Sequence, residues 1–303
     1  MENHGVPSSV NAEYNGQHAA IRLVVNADDY GYFRCVNAGI HAGIEAGVIK
    51  AAGLLTTAPA FQDLSCLLRG VPEIDYGVHL CLSSGRPLTD VMKQQLRRWN
   101  GYFPSKWRMI AAILKKEIPL AIVKNEWIAQ IERAISVSQA IWFLNTHEHL
   151  QALPPLRDVL LELTDRYSVA LVRDLDPELR FALSPTAWGK SLAISVLRRI
   201  TRHTDTNGSI SCIGLGRSGQ LDATYLRRRF ATLLPGRHYE LMCHPGYMDI
   251  DEIQDRRLIA YHRWEHELDL LLSPEFQALC REFNIVLSRF RDLPVATKTI
   301  SHS

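Results

Sequence analysis

Two adjacent carboxylates follow a short apolar run near the start of the chain. Residues 23–26 have the apolar, β-branched character of a strand buried on both faces, and Asp28, Asp29 and Gly31 come directly after it. Neighbouring buried carboxylates repel each other, so the pair is costly unless a cation lies beside it or one acid is protonated. The pair therefore indicates a cation site or, alternatively, a solvated turn in which an aspartate caps the next helix.

Three later apolar segments carry histidines. His79 lies in Y-G-V-H-L-C-L, His147 and His149 in F-L-N-T-H-E-H-L, and His244 in E-L-M-C-H-P-G. A single histidine on an apolar strand is usually a hydrogen-bonded core residue. In a parallel α/β protein, however, the carboxyl ends of the strands all face one way, so these side chains are expected to converge with the aspartate pair.

The segments between these motifs alternate between helix and strand patterns. Apolar residues four positions apart, with glycines on a neighbouring face, predict a helix at 36–49 that packs closely on a sheet. A strand is predicted at 51–58, helices at 126–138 and 254–272, and a closing strand at 285–287. This alternation predicts a parallel sheet, and 303 residues fit one large α/β domain.

Four motifs together resemble a known family. N-A-D-D-Y-G, G-V-H-L, N-T-H-E-H and M-C-H-P-G, in this order over residues 23–246, are similar to those of the YdjC/ChbG-like carbohydrate deacetylases. Weaker similarity at 82–88, 188–202 and 214–221 is to the subgroup associated with hopanoid glycolipid biosynthesis. The resemblance implies a single-domain (β/α) barrel, TIM-like but irregular, with helical insertions over the carboxyl face of the strands.

The resemblance also implies a chemistry. It assigns Asp29, His79 and His147 as ligands of one divalent cation, Asp28 as the general base and His244 as the general acid. Two imidazoles and one carboxylate favour Zn²⁺, although family members have also been described with Mg²⁺. The implied function is hydrolytic removal of the N-acetyl group from an amino sugar or amino-sugar-bearing glycoconjugate, by attack of a metal-bound water.

An arginine is expected to support the base. Residues 169–174 resemble the strand that carries such an arginine in related deacetylases, so Arg173 is expected to keep Asp28 ionised and oriented; the alternative is a surface ion pair. The sequence departs from the family pattern at 145–146, Asn-Thr where many relatives have Asp-Ser, and at Glu148, where histidine is common. Because of these departures, the resemblance does not predict which side chains contact the metal ligands.

Three residues are candidates for contacts with the sugar. His149 is two residues beyond His147 and would share its strand face. Tyr30 follows the aspartate pair, and Arg86 lies in a turn-rich loop, 83–88, that would overhang the site. All three are predicted to bind substrate.

Composition limits the partners and the compartment. A formal charge of +2 gives no global basic field and argues against a nucleic-acid binder. Six cysteines without Cys-x-x-Cys spacing indicate reduced, mostly buried thiols in a cytoplasmic protein. No apolar run reaches the roughly 20 residues of a membrane span. Residues 1–20 are predicted to be a disordered leader, 21–295 the catalytic domain and 296–303 a tail; a homo-oligomer is left open.

Two basic segments have alternative interpretations. Residues 94–116 mix arginine and lysine with aromatic side chains, which is typical of a lip over the active site, of a membrane-surface contact, or of a solvated helix with buried aromatics. Residues 188–203 could form a second lip. Gly214-x-Gly216-x-x-Gly219 lacks the βαβ context of a dinucleotide site.

Two other functions stay open at this stage. One is a non-catalytic sugar- or metal-binding barrel, and the other is a barrel hydrolase for a different bond such as a phosphoester. A nucleophile-triad hydrolase is disfavoured because the sequence has no Gly-x-Ser-x-Gly elbow. The second acid, Asp28, and the distant histidine, His244, favour an enzyme over a metal-binding protein.

Overall fold

Nine strands, paired only in parallel, form the sheet of the computed structural model, which describes residues 19–138, 140–175 and 210–294. Residues 1–18 of the predicted leader lie outside the described residues, as do the predicted second lip at 188–203 and the predicted tail at 296–303. The strands are β1 (Ile21–Tyr30), β2 (Ala51–Leu54), β3 (Asp75–Leu80), β4 (Phe143–Thr146), β5 (Leu171–Val172), β6 (Asp174–Leu175), β7 (Ser211–Ile213), β8 (His238–Cys243) and β9 (Ile285–Leu287).

The order of the strands shows that the sheet is curled. It runs β5-β4-β3-β2-β1-β8-β7-β6, and β9 pairs with the first residues of β1. β5 pairs with β4, whereas β6 pairs with β7 at the other end of the order. Because only Arg173 separates β5 from β6, the two ends of the sheet are consecutive in the chain. The predicted α/β class is confirmed, with the parallel sheet curled into at least half of a barrel.

Ten α-helices within the described ranges flank the sheet. They are α1 (Arg34–Glu45), α2 (Leu64–Leu67), α3 (Asp90–Gln95), α4 (Lys106–Leu114), α5 (Leu120–Ser138), α6 (Pro154–Arg166), α7 (Ala223–Phe230), α8 (Arg256–Tyr261), α9 (Trp264–Leu272) and α10 (Pro274–Glu282). The side chains of Thr89, Asp222 and Ser273 accept hydrogen bonds from backbone N–H groups at the starts of α3, α7 and α10. These caps satisfy amides that have no partner inside the helix.

Helix α1 confirms the predicted close packing of a glycine-bearing helix. A Cβ at Gly39 would lie 2.5 Å from the Cα of Gly246, so the helix backbone contacts the loop that follows β8. The helix ends at Glu45 and not at residue 49, and Gly47 adopts a φ of 71° just beyond it. This contact fixes the loop that carries His244.

The prediction of one continuous helix at 254–272 is wrong. It is divided into α8 and α9 because His262 and Arg263 leave the helical conformation, with His262 at φ −96° and ψ 137°. The amide of Arg263 donates to the carbonyl of Gly219 at 2.8 Å in place of a helical partner. A long-range hydrogen bond therefore overrides the local helical pattern.

The prediction that most of the cysteines are buried is confirmed. Four of the six cysteines, Cys81, Cys212, Cys243 and Cys280, are buried. No helix in the described ranges has both the length and the apolar character needed to cross a membrane.

Candidate active site

The predicted site residues come together at the carboxyl edge of the sheet. Asp28 and Asp29 lie at the end of β1, and His79 is the second-last residue of β3. His147 follows β4 directly, and His244 follows β8. Because every described strand pair is parallel, these ends share one edge, as the sequence predicts.

A break in strand register lets both carboxylates enter the same pocket. Successive strand residues normally point to opposite faces of a sheet. The register between β1 and β2 shifts between Ala27 and Tyr30, and Asp29 adopts a left-handed φ of 67°. Asp28 and Asp29 are consequently both buried, with 0% and 1% of their surfaces exposed. The alternative of a solvated capping turn is therefore wrong.

Three donor atoms meet beside this break. Asp29 Oδ1 lies 3.0 Å from His147 Nδ1 and 3.3 Å from His79 Nε2, and the two imidazole nitrogens are 3.3 Å apart. Ligand atoms held at about 2.0–2.2 Å from one divalent cation lie roughly 3.0–3.4 Å from one another, so this spacing fits a cation. Asp29 Oδ2 is buried without a hydrogen-bond partner among the described residues. The three side chains form a candidate metal-ligand triad.

Asn145 orients one of these ligands. Its amide Nδ2 donates to Asp28 Oδ1 at 3.1 Å, and its Oδ1 lies 2.7 Å from His79 Nδ1. Because an amide oxygen only accepts, His79 carries its proton on Nδ1 and directs the lone pair of Nε2 toward Asp29 and His147. The departure from the family pattern at residue 145 thus places an amide where it bridges Asp28 and the candidate ligand His79.

A buried ion-pair network holds Asp28. Arg173 donates to its two carboxylate oxygens at 2.5 and 2.8 Å, and through Nε to Glu240 Oε1 at 2.8 Å. Asn26 donates to the same Glu240 oxygen at 2.7 Å. Burial raises the pKa of Asp28, but the charge and hydrogen bonds of Arg173, together with His79 and His244, lower it more, so the pKa of this carboxyl lies well below its usual range. Arg173 is 3% exposed, which excludes a surface ion pair.

The loop after β4 differs from its prediction. β4 ends at Thr146, and Glu148 and His149 have φ values of 55° and 59°, a left-handed pair that is unfavourable for residues with a Cβ. The prediction that His149 shares a strand face with His147 is therefore wrong. Burial and the charge of Arg173 hold the pKa of His149 well below its usual range, so it is neutral.

The acidic surroundings of His147 favour the charged form of its imidazole. Burial lowers the pKa of this imidazole, but the charge and hydrogen bond of Asp29, together with the charges of Glu148 and Asp28, raise it more, so the net shift is upward. A positive charge is therefore favoured at this point, so a proton and a cation would compete for this ring.

His244 belongs to a second cluster of aromatic rings. Its ring lies 5.0 Å from that of His262, which stacks on Trp264 at 4.9 Å. Its backbone N–H donates to Glu267 Oε2 at 2.6 Å. Burial lowers the pKa of His244, although Asp29 and Asp28 attract its proton, and burial lowers the pKa of His262 to about 3. Ala27 of β1 pairs with Cys243 of β8, so His244 follows β8 beside the strand end that carries the acid pair.

Comparison with known proteins identifies the family. The sequence profile of the family described as YdjC-like protein matches residues 22–282. This chain belongs to the YdjC-like family. It is 27% identical over 278 residues to a carbohydrate deacetylase of Geobacillus stearothermophilus, which covers 89% of this chain and 96% of that protein. It is 24% identical over 273 residues to a carbohydrate deacetylase of Clostridium beijerinckii, covering 90% and 100%.

A solved structure agrees with the fold of this YdjC-like protein. A protein of Enterococcus faecalis V583, described as a putative cellobiose-phosphate cleavage protein, superposes with a TM-score of 0.68 over 90% of this chain and 99% of that chain. Its 22% identity supports similarity of fold alone. The family resemblance seen in the motifs is confirmed, whereas the hopanoid-associated subgroup stays a prediction.

Two residues of this YdjC-like protein that are predicted to contact the sugar, Tyr30 and Arg86, differ in how far they are exposed. Tyr30 is completely buried, and no described residue bonds its hydroxyl. Arg86 is exposed, with its guanidinium 4.3 Å from the ring centre of Tyr102. Tyr32, which the motifs did not single out, lies edge-on to His147 at 5.9 Å and accepts a hydrogen bond from Ser84 at 3.1 Å. The loop at 83–88 therefore reaches the site through Ser84.

Sequence reasoning also missed partners that surround the site. Glu240 could have been found, because a single acid inside an apolar strand indicates a buried counter-ion. His262 and Glu267 carried no such signal, since both lie in a region whose pattern predicted one continuous helix.

Proposed function

We propose that this YdjC-like protein is a metal-dependent carbohydrate N-deacetylase that hydrolyses the acetamide of an amino sugar or of a glycoconjugate that contains one. The names of the relatives that span most of the chain support a carbohydrate deacetylase. The observation that carries the proposal is the second buried carboxylate. Asp28 lies beside the three candidate ligands but is bonded to Arg173 and Asn145, which suits a group that handles protons better than one that only binds metal.

Asp29, His79 and His147 would hold the cation. A divalent cation at these atoms would polarise the amide carbonyl and lower the pKa of water in the site. Two imidazoles and a carboxylate favour Zn²⁺ over Mg²⁺, which prefers oxygen ligands.

The remaining groups suit the proton transfers of amide hydrolysis. Asp28, kept ionised by Arg173, would accept a proton from the attacking water. His244 would donate a proton to the departing amine, and His262 would position its ring. Tyr32 and the loop at 83–88 would form one wall of the sugar pocket. Tyr30, His149 and Arg86 keep their predicted sugar contacts as part of this proposal.

We further propose that the curled sheet closes into an irregular (β/α) barrel. The segment from β5 to β6 would be the closing strand, since its first half pairs with β4 and its second half with β7. Closure would fix the backbone of Arg173 from both sides and so direct its side chain at Asp28.

The proposed reaction is tested with the metal-loaded full chain and a panel of N-acetylated sugars, oligosaccharides and glycolipids. Mass spectrometry should detect a loss of about 42 Da, the mass that amide hydrolysis removes from an acetylated amine. Chelator-treated protein is the control and should give no product. Turnover of phosphoesters with no acetyl loss, or sugar binding without turnover of any panel member, would contradict the proposal.

A variant of His244 tests the proton donor. We expect His244→Gln to lower kcat about a hundredfold with a smaller effect on KM, because the amine must leave protonated. Because burial lowers the pKa of His244, the alkaline side of the wild-type kcat/KM profile should begin below the ordinary imidazole pKa, and the variant should lose that side. His266→Gln, at an exposed histidine of α9, is the matched control. An unchanged kcat in His244→Gln would assign this residue to structure.

A further inference from the structure

Helix α4 exposes an apolar stripe. Its inner face contributes the buried side chains Met109, Ala112 and Ile113 to the core. On the outer face, Trp107 is 71% exposed and Leu114 is 59% exposed. Residues seven positions apart lie on the same side of a helix, so these two large side chains form one stripe with Ala111 between them. The interpretation of residues 94–116 as a solvated helix with buried aromatics is therefore wrong for Trp107.

The positive charge of the chain is concentrated around this stripe. Residues 93–117 contain seven basic residues and one acidic residue, whereas the other 278 residues contain 27 basic and 31 acidic residues. Arg108, Lys115 and Lys116 on and beside α4 are exposed. The single acid, Glu117, is paired with Arg98 at 2.6 Å. The rest of the chain is thus net acidic, and the exposed cations Arg108, Lys115 and Lys116 flank the stripe.

We propose that α4 is a docking surface for an anionic phospholipid bilayer. Tryptophan and leucine flanked by basic side chains match a membrane surface, where the apolar groups enter the interface and the cations contact lipid phosphates. A second copy of the chain is a poorer match, because a two-fold dimer through this stripe would place basic residues against basic residues. The charge distribution thus selects an anionic partner, and an anionic bilayer accommodates both the apolar stripe and the cations beside it.

The surface begins beside the candidate active site. Lys106, the first residue of α4, forms an ion pair with Glu148 at 3.0 Å, and Glu148 follows the candidate ligand His147. Docking through α4 would bring the mouth of the site near lipid headgroups. The inference goes beyond the proposed function and does not depend on it, since membrane binding is measured without any turnover.

Vesicle binding tests the inference. The full chain is sedimented with vesicles of phosphatidylcholine alone and of phosphatidylcholine mixed with phosphatidylglycerol. We expect binding to the mixed vesicles only, weakened by salt because screening shortens the reach of the basic residues. Trp107→Gln/Leu114→Gln should lower the partition coefficient about tenfold or more, and Lys115→Gln/Lys116→Gln about fivefold for each lysine removed.

The controls separate docking from general stickiness. Leu161→Gln/Leu234→Gln removes two leucines that are 42% and 55% exposed elsewhere on the surface, and this variant should bind like the wild type. Melting temperatures verify that every variant is folded. Equal binding by the α4 and control variants, no binding to mixed vesicles, or dimerisation that Trp107→Gln/Leu114→Gln abolishes would each overturn the proposal.

Discussion

Asp28→Asn is expected to lower kcat by about 10³- to 10⁴-fold while the protein still binds its cation. The carboxylate of Asp28 does not belong to the ligand triad, so the donor atoms of Asp29, His79 and His147 are retained. An asparagine at this position cannot accept a proton from water. Steady-state kinetics on a substrate found in the acetyl-loss screen, together with a metal titration, measure the two effects separately.

Loss of the Asp28 charge also disturbs Arg173, and this requires a control. Removing one partner of a buried ion pair typically costs about 3–5 kcal/mol of stability. Glu240→Gln removes the other carboxylate from the same guanidinium, at 2.8 Å from Arg173 Nε, but leaves the acid pair intact. We expect both variants to melt at lower temperature, and only Asp28→Asn to lose most of its turnover. Equal losses of kcat in both variants would mean that Asp28 acts only through the stability of the network.

The parts of the site that the sequence predicted depend on strand ends. Parallel strands bring their carboxyl ends to one edge, so apolar runs that end in Asp29, His79 and His244 were sufficient to predict a common site. Burial of the acid pair was left open against a solvated capping turn, although residues 23–25 are all apolar. Strand boundaries were less accurate, but the order of the motifs did not depend on them.

The parts that it missed depend on backbone conformation set by distant contacts. The left-handed φ of Asp29 directs two neighbouring acids into one pocket, and no local pattern indicates it. The left-handed turn at Glu148 and His149 similarly ends the strand alternation from which the position of His149 was predicted. His262 reaches His244 only because the amide of Arg263 bonds to Gly219. Each case is a tertiary interaction that overrides a local preference.

The family resemblance predicted the three residues of the candidate metal-ligand triad, but the sequence did not predict what orients them. Asn145 was visible only as a departure from a family pattern, yet it determines which nitrogen of His79 carries the proton. A protonated Nδ1 leaves Nε2 as the only nitrogen of this ring that can bind a cation. Substitution of His79 therefore removes a candidate ligand, whereas substitution of Asn145 removes only the side chain that orients it.

His79→Ala is expected to abolish measurable binding of the cation, and Asn145→Ala to weaken it about 10- to 100-fold. Calorimetric titration with Zn²⁺, and metal content after dialysis, give the two affinities, and circular dichroism verifies the fold. Affinity of the wild type should rise with pH, because Asp29 raises the pKa of His147 and the proton on that ring must leave before a cation binds. His266→Ala should match the wild type. If His79→Ala bound Zn²⁺ as tightly as His266→Ala, the triad of Asp29, His79 and His147 would not be the metal site, and the proposed hydrolysis would lack the Lewis acid on which it depends.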